Sequence, residues 1–523
     1  MLSTKCYLLS GPEIFSESLL WKLQRSYFED MGFEAWRQGD VPHQVTSNTY
    51  IANSYAEIIF TFYREWQLQH ETDGSQPLYI IETGAGSGRF AFHLLSRLHS
   101  LCDQLDLPVN SFKYVLTDFT VNNLEFWRNH LWFRYFFECG MLDVALLDMA
   151  APGNLELQVS GIHIAPGALH LPLIAMANYV FDSVPQDLFK FENKQVSRGM
   201  LSLIIQEYPA QMDTAEILAG LNCNFEYEVI SDTVYNELWL QQLLDFYTDN
   251  LNNTHLLLPA VGLRCIHHLK SFSQQGLVLL SADKGIHCLE ALHNRPQPGL
   301  VKHGSFSLNV NYHAFKYYCE QQGGIALFTG HNHQSLNVCC LLLLPNAAKL
   351  KETIFSYRRL VQDFGPDDFF TIAKHSRQYM SEMTAADILA YLRLSHYDSQ
   401  QLSRYLPRLI ELADDLTTAA RTDIKNSINS VWQQYFPIGE QLDLANAIAR
   451  YFYKVDEYEL ALAYFQESVN VYGNDSGTLY NMAVCYAMMD NYASACNYLE
   501  VVLQHDPDNK GARVLLADYS MKI

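Results

Sequence analysis

The stretch from Leu78 to Gly88 constrains the fold of this chain more than any other part of the sequence. It reads LYIIETGAGSG, four apolar residues and an acid followed by glycines at alternate positions. The apolar run predicts a buried parallel strand, and a helical pattern of apolar residues begins at Arg89. Glycine leaves the backbone bare where a turn is tight and a ligand comes close. The stretch therefore predicts a strand, a ligand-binding turn and a helix.

The spacing of the glycines distinguishes between cofactors. A dinucleotide-binding turn has the pattern G-x-G-x-x-G/A, which would place a small residue where this chain has Arg89. An acid followed by three alternate glycines instead resembles motif I of class I S-adenosylmethionine (SAM) methyltransferases. That resemblance implies an α/β fold with a Rossmann-like, doubly wound sheet, and SAM as the cofactor. The residues that it assigns to the cofactor are Glu82, Thr83, Gly84, Ala85 and Gly86.

Further predicted strands end in polar residues. Buried apolar runs finish at Asp118, Asp148, Asn178 and Asp283. The carboxyl ends of parallel strands meet at the ligand-binding edge of an open α/β sheet, so these side chains are expected to lie near Glu82. The sequence therefore predicts a row of acceptors along one edge.

The chemical groups of SAM suggest a role for each acceptor. Glu82 suits the methionine ammonium, Asp118 can accept from both ribose hydroxyls, and Asp148 can accept from the adenine amine. Met149 would offer the adenine ring an apolar face. The predicted cofactor site is completed by Phe119, Met149 and Asn178.

The segment after the fourth predicted strand narrows the family. Residues 177–185 read ANYVFDSVP and resemble the A-N-E-x-x-D-A-L-P signature of MidA-type methyltransferases, relatives of the mitochondrial complex I assembly arginine methyltransferase. Two further segments, YVLTDFT at 114–120 and NVNYHAF at 309–315, also resemble that family. Tyr179 stands where the family has Glu, and the family's G-D-F segment survives only as residues 39–41. The residues predicted to bind the cofactor therefore match the family signature better than those on the substrate side.

Two residues of this signature are candidates for catalysis. Methyl transfer is an in-line displacement that depends on alignment, and a nitrogen acceptor must also give up a proton. We predict that Asp182 takes this proton and that Asn178 positions the substrate. A capping role for Asp182 stays open as the alternative.

Charge and composition limit the partners. The chain carries 35 Lys and Arg against 57 Asp and Glu, a net charge of −22, which disfavours nucleic acid and tolerates a basic protein segment. No apolar run is long enough to predict a membrane span, and the first residues resemble neither a signal nor a transit peptide. The eleven cysteines include no C-x-x-C pair, so we expect free thiols in the cytoplasm. No metal site is predicted, because His331, His333, Cys339 and Cys340 lack a further ligand at a fixed spacing.

The end of the chain repeats with a period of 34 residues. The recurring pairs are Tyr458 and Tyr492, Ala461 and Ala495, Phe465 and Leu499, and Ala449 and Ala483. This pattern resembles tetratricopeptide repeats, which implies paired helices that dock a protein partner. A fainter copy lies at Ile424, Ser427 and Val431. A dimer interface is the alternative use of such repeats.

These observations predict four regions. They are an N-terminal helical or lid segment (1–70), a SAM-dependent methyltransferase domain (71–350, with an insertion at about 188–260), a helical connecting region (351–440) and a tetratricopeptide repeat domain (441–523). The predicted function is methylation of a protein side chain, arginine or another nitrogen, with the repeats recruiting the protein. A catalytically impaired SAM-binding or protein-interaction module and a small-molecule methyltransferase remain as alternatives. The sequence predicts no oligomeric state.

Overall fold

The computed structural model describes residues 6–39, 45–70, 74, 76–206, 212–331, 335–440 and 442–523. The chain forms two compact units, residues 1–370 and 371–523, and the boundary between them falls inside one helix, Pro366–Ser376. The predicted divisions at 350 and 440 therefore do not separate compact units.

The first unit contains most of the chain's helices within the described ranges. They are α1 (Leu19–Met31), α2 (Glu34–Arg37), α3 (Thr49–Gln69), α4 (Arg89–Gln104), α5 (Val121–Asn129), α6 (Arg134–Glu138), α7 (Thr214–Gly220), α8 (Leu238–Asn250), α9 (Ala260–Ser271), α10 (Tyr312–Gln321) and α11 (Lys351–Tyr357), and the unit ends within α12 (Pro366–Ser376).

Helix α11 belongs to this unit because of a buried carboxylate. Glu65 of α3 is 7% exposed and accepts hydrogen bonds from the backbone amides of Glu352 and Thr353 and from the Thr353 hydroxyl, at 2.7 to 3.0 Å. These bonds satisfy amides at the start of α11 that have no partner within the helix. The residues after 350 thus continue the first unit.

A mixed sheet of seven strands lies at the centre of the unit. Its strands are β1 (Leu78–Glu82), β2 (Phe112–Asp118), β3 (Leu142–Leu146), β4 (Leu173–Asn178), β5 (Leu277–Asp283), β6 (Ile325–Leu327) and β7 (Asn337–Leu343). The order across the sheet is β3-β2-β1-β4-β5-β7-β6, and helices separate most successive strands. The chain moves outward from β1 to β3 and then returns to place β4 on the other side of β1. The predicted α/β sheet is confirmed, with its switch point between β1 and β4.

One strand runs against the others. β7 is antiparallel to both β5 and β6, whereas β1 to β5 are parallel to one another. The five strands that the sequence predicts, β1 to β5, are parallel to one another as expected, and the antiparallel β7 is a strand that the sequence does not predict. An apolar run marks a buried strand but carries no information on its direction.

A second, antiparallel sheet occupies the predicted insertion. Its strands are Tyr7–Ile14, Asp187–Glu192, Gln195–Ile205, Asn222–Val229 and Thr254–Leu258. The first of these adds a strand to the N-terminal segment that was predicted as helical or a lid, because Tyr7–Ile14 pairs with Met200–Ile205 nearly two hundred residues away. Such a strand depends on a distant partner rather than on its own sequence pattern.

The second unit is helical. Its helices are α13 (Ala385–Leu394), α14 (Ser399–Glu411), α15 (Thr418–Gln433), α16 (Leu444–Lys454), α17 (Tyr458–Tyr472), α18 (Ser476–Met488), α19 (Tyr492–His505) and α20 (Lys510–Ser520). One apolar cluster extends from Met383 to Ala512, so the helices on either side of residue 440 share a core. None of the helices in the described ranges is long and apolar enough to cross a membrane.

The 34-residue period is visible in the helices of this unit. Asp456 and Asp490 both have left-handed backbones, with φ of 64° and 58°. Each accepts a hydrogen bond from the tyrosine two residues later, Tyr458 at 2.7 Å and Tyr492 at 3.1 Å. The small residues of the repeat are completely buried: Ala449, Ala461, Ala483 and Ala495. Two consecutive helix pairs therefore repeat the same turn and the same close packing.

Candidate functional site

A cavity of about 400 Å³ opens at the carboxyl ends of β1, β2, β3 and β4. This is the ligand-binding position of an open α/β sheet, and the volume is in the range of small-molecule sites. The predicted residues that line it are Glu82, Gly84, Ala85, Gly86, Asp118, Phe119, Asp148, Met149 and Asn178. Most of the cofactor site predicted from the sequence is therefore brought together on one cavity.

The turn after β1 requires glycine for two reasons. Gly84 and Gly86 have φ of 61° and 53°, in the left-handed region that other residues seldom adopt. A Cβ at Gly84 would lie 2.9 Å from Val180, and one at Gly86 would lie 2.9 Å from the Trp36 ring. The turn is thus both conformationally demanding and closely covered.

Glu82 places a buried carboxyl group at the end of β1. It is 5% exposed and accepts a 2.7 Å hydrogen bond from the Tyr114 hydroxyl. Its pKa is raised to about 8, because burial and the nearby Asp118 raise it by more than the Tyr114 bond lowers it. A cationic ligand at Glu82 would stabilise the ionised form.

Asp118 is surrounded by donors. Its carboxylate accepts from the Thr120 amide at 3.0 Å, the Thr120 hydroxyl at 3.1 Å and the Asn123 amide at 2.9 Å. Burial raises its pKa, while these bonds and one from the Gly86 amide lower it. A carboxylate offers about four acceptor positions, so a ligand hydroxyl would have to share or displace one of these donors.

The adenine-side residues Asp148, Phe119 and Met149 all line the cavity. Asp148 Oδ1 accepts from the Ala150 amide at 2.9 Å, and Oδ2 pairs with the Arg25 guanidinium at 2.7 Å. The same guanidinium lies 4.7 Å from the centre of the Phe119 ring. An N-terminal arginine therefore contacts two of the predicted cofactor residues.

Thr83 is placed differently from the other predicted residues. It is 1% exposed, does not line the cavity, and its hydroxyl donates to the Met176 carbonyl at 3.0 Å. Its backbone amide donates to the same carbonyl at 2.9 Å. Thr83 therefore ties the end of β1 to β4 and holds the turn in position.

Asn178, at the end of β4, has an unused donor. Its Oδ1 accepts from the Tyr55 hydroxyl at 3.1 Å, whereas its buried Nδ2 has no hydrogen-bond partner among the described residues. An unsatisfied buried amide costs free energy unless a ligand or water meets it. Asn178 lines the cavity, so this donor is available to a ligand there.

Tyr179 follows Asn178 in an uncommon conformation. Its φ is 51°, which is rare for a bulky residue and is typical of functional sites. The side chain lines the cavity, and burial together with Asp283 and Asp182 raises its pKa. The residue that departs from the family signature thus reaches the cavity wall.

Asp182 lies behind the cavity rather than on it. It is 6% exposed, and its amide donates to Asp283 at 3.1 Å while its Oδ1 accepts from the Ser183 hydroxyl at 2.8 Å. Burial raises the pKa of Asp182 to about 6, although the bonds from Ser183 and to Asp283 oppose this, and burial together with the nearby Asp182 raises the pKa of Asp283 well above its usual value. Ser183 does line the cavity and connects it with this pair.

The N-terminal segment supplies a wall that the sequence pattern does not reveal. Trp21, Arg25 and Phe28 of α1 and Trp36 of α2 line the cavity, and Phe28 and Trp36 stack with ring centres 5.8 Å apart. Aromatic and basic residues on a helix give no local sign of which sheet edge they cover.

No group of three metal-ligating residues occurs within the ranges that the structure describes. Cys339 and Cys340 are completely buried in β7, and His333 lies outside the described residues, as do the family-like positions Asp40 and Val41.

No protein-family model matches this chain, and no curated protein matches it. Among solved structures, it is similar to a Burkholderia thailandensis protein that is inferred to be a methyl transferase and is bound to S-adenosyl-homocysteine, with 13% identity and a TM-score of 0.43 over 65% of this chain and 90% of that one. A second solved structure, of an uncharacterized protein from the same organism, shares 14% identity with a TM-score of 0.42 over 65% of this chain and 90% of that one. The CurJ carbon methyltransferase shares 10% identity with a TM-score of 0.25 over 56% of this chain and 54% of that one. At these TM-scores the likeness adds nothing to what the strand order and cavity themselves show.

Proposed function

We propose that this chain is a cytoplasmic SAM-dependent methyltransferase that acts on a protein side chain, arginine or another nitrogen. The observation that carries the proposal is the cavity at the switch point, where Glu82, Asp118, Asp148 and the unpartnered Asn178 amide face one another across a glycine turn. When bound, SAM supplies a methyl group on a sulfonium.

The polar groups of the cavity fit this cofactor. A cation would stabilise the ionised form of the buried Glu82 carboxyl group, and the methionine ammonium is a cation. Gly86 and Asp118 line the same cavity, so the chain that joins ammonium and sulfonium can lie beside Gly86 and the ribose beside Asp118. Asp148 and Met149 offer an acceptor and an apolar surface to adenine.

The proton route supports a nitrogen or oxygen acceptor. Ser183 lines the cavity and donates to Asp182, so a proton from the substrate can move to Ser183 Oγ while the serine proton moves to the Asp182 carboxylate. In this proposal Asp182 acts through Ser183, and Asn178 positions the acceptor with its free Nδ2. The in-line transfer itself then depends on alignment.

The helix-pair repeat supports a protein substrate. Its 34-residue period and buried alanines are typical of tetratricopeptide repeats, which bind protein segments on their surfaces, and the same turn occurs in both helix pairs. The net charge of −22 favours a basic partner over nucleic acid.

Labelled SAM tests the proposal. The full-length protein is incubated with methyl-labelled SAM and cell lysate, with and without prior protease treatment of the lysate. We expect label in a protein band, lost after protease treatment, and strongly reduced by Ser183→Ala although SAM binding is kept. Gly86→Val serves as the variant that does not bind. Label that survives protease treatment would favour a small-molecule acceptor.

A catalytically impaired SAM-binding module is the second candidate, and Tyr179 favours it. This bulky, left-handed residue lines the cavity where the related signature has Glu. Tight SAM binding without transfer to any lysate fraction, followed by transfer after Tyr179→Glu, would support this candidate over the first.

A further inference from the structure

Arg25 makes two contacts inside the cavity that a cofactor would need. Its guanidinium pairs with Asp148 Oδ2 at 2.7 Å and lies over the Phe119 ring at 4.7 Å from the ring centre. The side chain reaches these residues from α1, more than ninety positions away in the sequence. Both partners follow strands of the sheet and line the cavity.

These contacts are the ones that an adenine would make. A guanidinium and an adenine are both planar, and both present N–H donors at their edge. Either group can lie on the face of Phe119 and donate to Asp148, but the two cannot do so at the same time. Asp148 Oδ1 already accepts from the Ala150 amide and Oδ2 from Arg25, so an adenine amine would have to share or displace one of these donors while Arg25 is bound.

A second acid on α1 can receive the arginine. Arg25 Nε already donates to Glu29 Oε1 at 2.9 Å, one helical turn further on, and Glu29 is about half exposed. The Arg25 side chain is 43% exposed, so it can leave the cavity towards solvent and keep one ion pair. The structure thus shows a side chain shared between a cavity acid and an acid of its own helix.

We propose that Arg25 is a competitor for the adenine half of the cavity, held by Asp148 and Phe119 in the free protein and transferred to Glu29 when cofactor binds. This inference rests on the proposed SAM binding and adds a gating residue to it. It assigns opposite effects to the two members of one ion pair. Removing Arg25 opens the adenine position, whereas removing the charge of Glu29 retains Arg25 in the cavity.

Calorimetric titration with S-adenosyl-homocysteine measures this effect. An exposed ion pair and an exposed cation–π contact are each modest, so Arg25→Ala is expected to tighten binding about ten-fold and to speed association. Arg25→Lys keeps the charge but not the planar stack, so its affinity should lie between those of the natural chain and Arg25→Ala. Lys22→Ala is the matched control, since Lys22 lines the cavity from the same helix but pairs with neither Asp148 nor Phe119.

Glu29→Gln provides the opposing measurement. We expect it to weaken binding several-fold in the natural chain and to have no effect when Arg25 is already alanine, because the two residues act through one contact. Weaker binding by Arg25→Ala would overturn the proposal and make Arg25 a direct cofactor ligand. An equal gain from Lys22→Ala would also overturn it, as a general charge effect.

The outcomes separate this inference from the proposed function. If neither the natural chain nor Arg25→Ala binds S-adenosyl-homocysteine, the proposed cofactor is wrong. If the natural chain binds and Arg25→Ala binds equally well, the cofactor stands and the gating role of Arg25 is wrong. All of these variants change exposed side chains, so thermal unfolding provides a simple check that each remains folded.

Discussion

At the scale of single residues, Glu82 is kept at a cost to the stability of the free protein. Its folded-state pKa of about 8 lies above the ordinary value of 4.5, so the folded protein retains a proton that the unfolded chain has lost. The stabilisation that protonated Glu82 contributes is therefore fully present below about pH 4.5 and is lost as the pH rises to about 8. Binding sites commonly hold such unfavourable groups because the ligand compensates them.

Substituting Glu82 should reveal this cost. We expect Glu82→Gln to be more stable than the natural protein at pH 8 by about 1–3 kcal/mol, and equally stable near pH 5. Urea unfolding across this range measures the difference. Glu156→Gln, at a side chain that is 88% exposed, is the control and should change little at either pH. A Glu82→Gln variant that is less stable at pH 8 would contradict the raised pKa.

The same residue predicts proton release on binding. At pH 7 the free protein holds a proton on Glu82 that a bound ammonium would expel, so up to about one proton per cofactor is released. Titration calorimetry in buffers of different ionisation enthalpy counts this proton. Glu82→Gln should release none and bind more weakly, whereas a natural protein that releases none would exclude the ammonium from this position.

Gly86 separates backbone strain from contact with the ligand. Gly86→Ala introduces a Cβ 2.9 Å from Trp36 at a left-handed residue, so we expect loss of about 1–2 kcal/mol of stability and of most cofactor affinity. Gly161→Ala is the matched control, because Gly161 has φ of 71° but open space around its Cβ. It should cost similar stability and leave affinity unchanged. Equal affinity in both variants would place the ligand elsewhere.

At the scale of elements, the repeat shows how a small residue sets the distance between helices. Ala461 of α17 is completely buried within the repeat, and Ala495 holds the equivalent position in α19. Ala463, two residues further along α17, is exposed. Helix pairing therefore constrains one face of α17 and leaves the other free.

A larger residue at the buried position should disturb this packing. Ala461→Leu is expected to destabilise the second unit by about 1–3 kcal/mol through overpacking, whereas Ala463→Leu should stay within about 0.5 kcal/mol. Urea unfolding followed by circular dichroism measures both. Equal effects of the two substitutions would mean that α17 does not pack in the repeat arrangement.

At the scale of the whole molecule, the division into two units predicts two unfolding transitions. Residues 1–370 hold the cavity, and residues 371–523 share one apolar cluster. Compact units with their own cores commonly unfold separately.

Scanning calorimetry of the full chain tests this independence. S-adenosyl-homocysteine at about 100 times its Kd should stabilise the first unit by about 2.7 kcal/mol and shift only its transition. Ala461→Leu should shift only the other. A single transition that responds to both changes would show that the units unfold together.

The sequence by itself determined the parts that depend on neighbouring residues. The apolar run and glycines of 78–88 are sufficient for β1, the turn and the start of α4, because strand burial and left-handed turns are local properties. Parallel strands then bring Asp118 and Asn178 to the same edge as Glu82. The 34-residue period likewise predicted the equivalent positions of Ala461 and Ala495, both of which are completely buried.

Only the tertiary structure decided what depends on distant partners. Four features join segments that are far apart in the chain. They are the pairing of the strand Tyr7–Ile14, the antiparallel direction of β7, the hydrogen bond between Asp182 and Asp283, and the cavity wall formed by Arg25 and Trp36. Each contact depends on the packing of the complete unit. Many segments have a composition that would allow the contact, and only the folded chain brings a particular one into place.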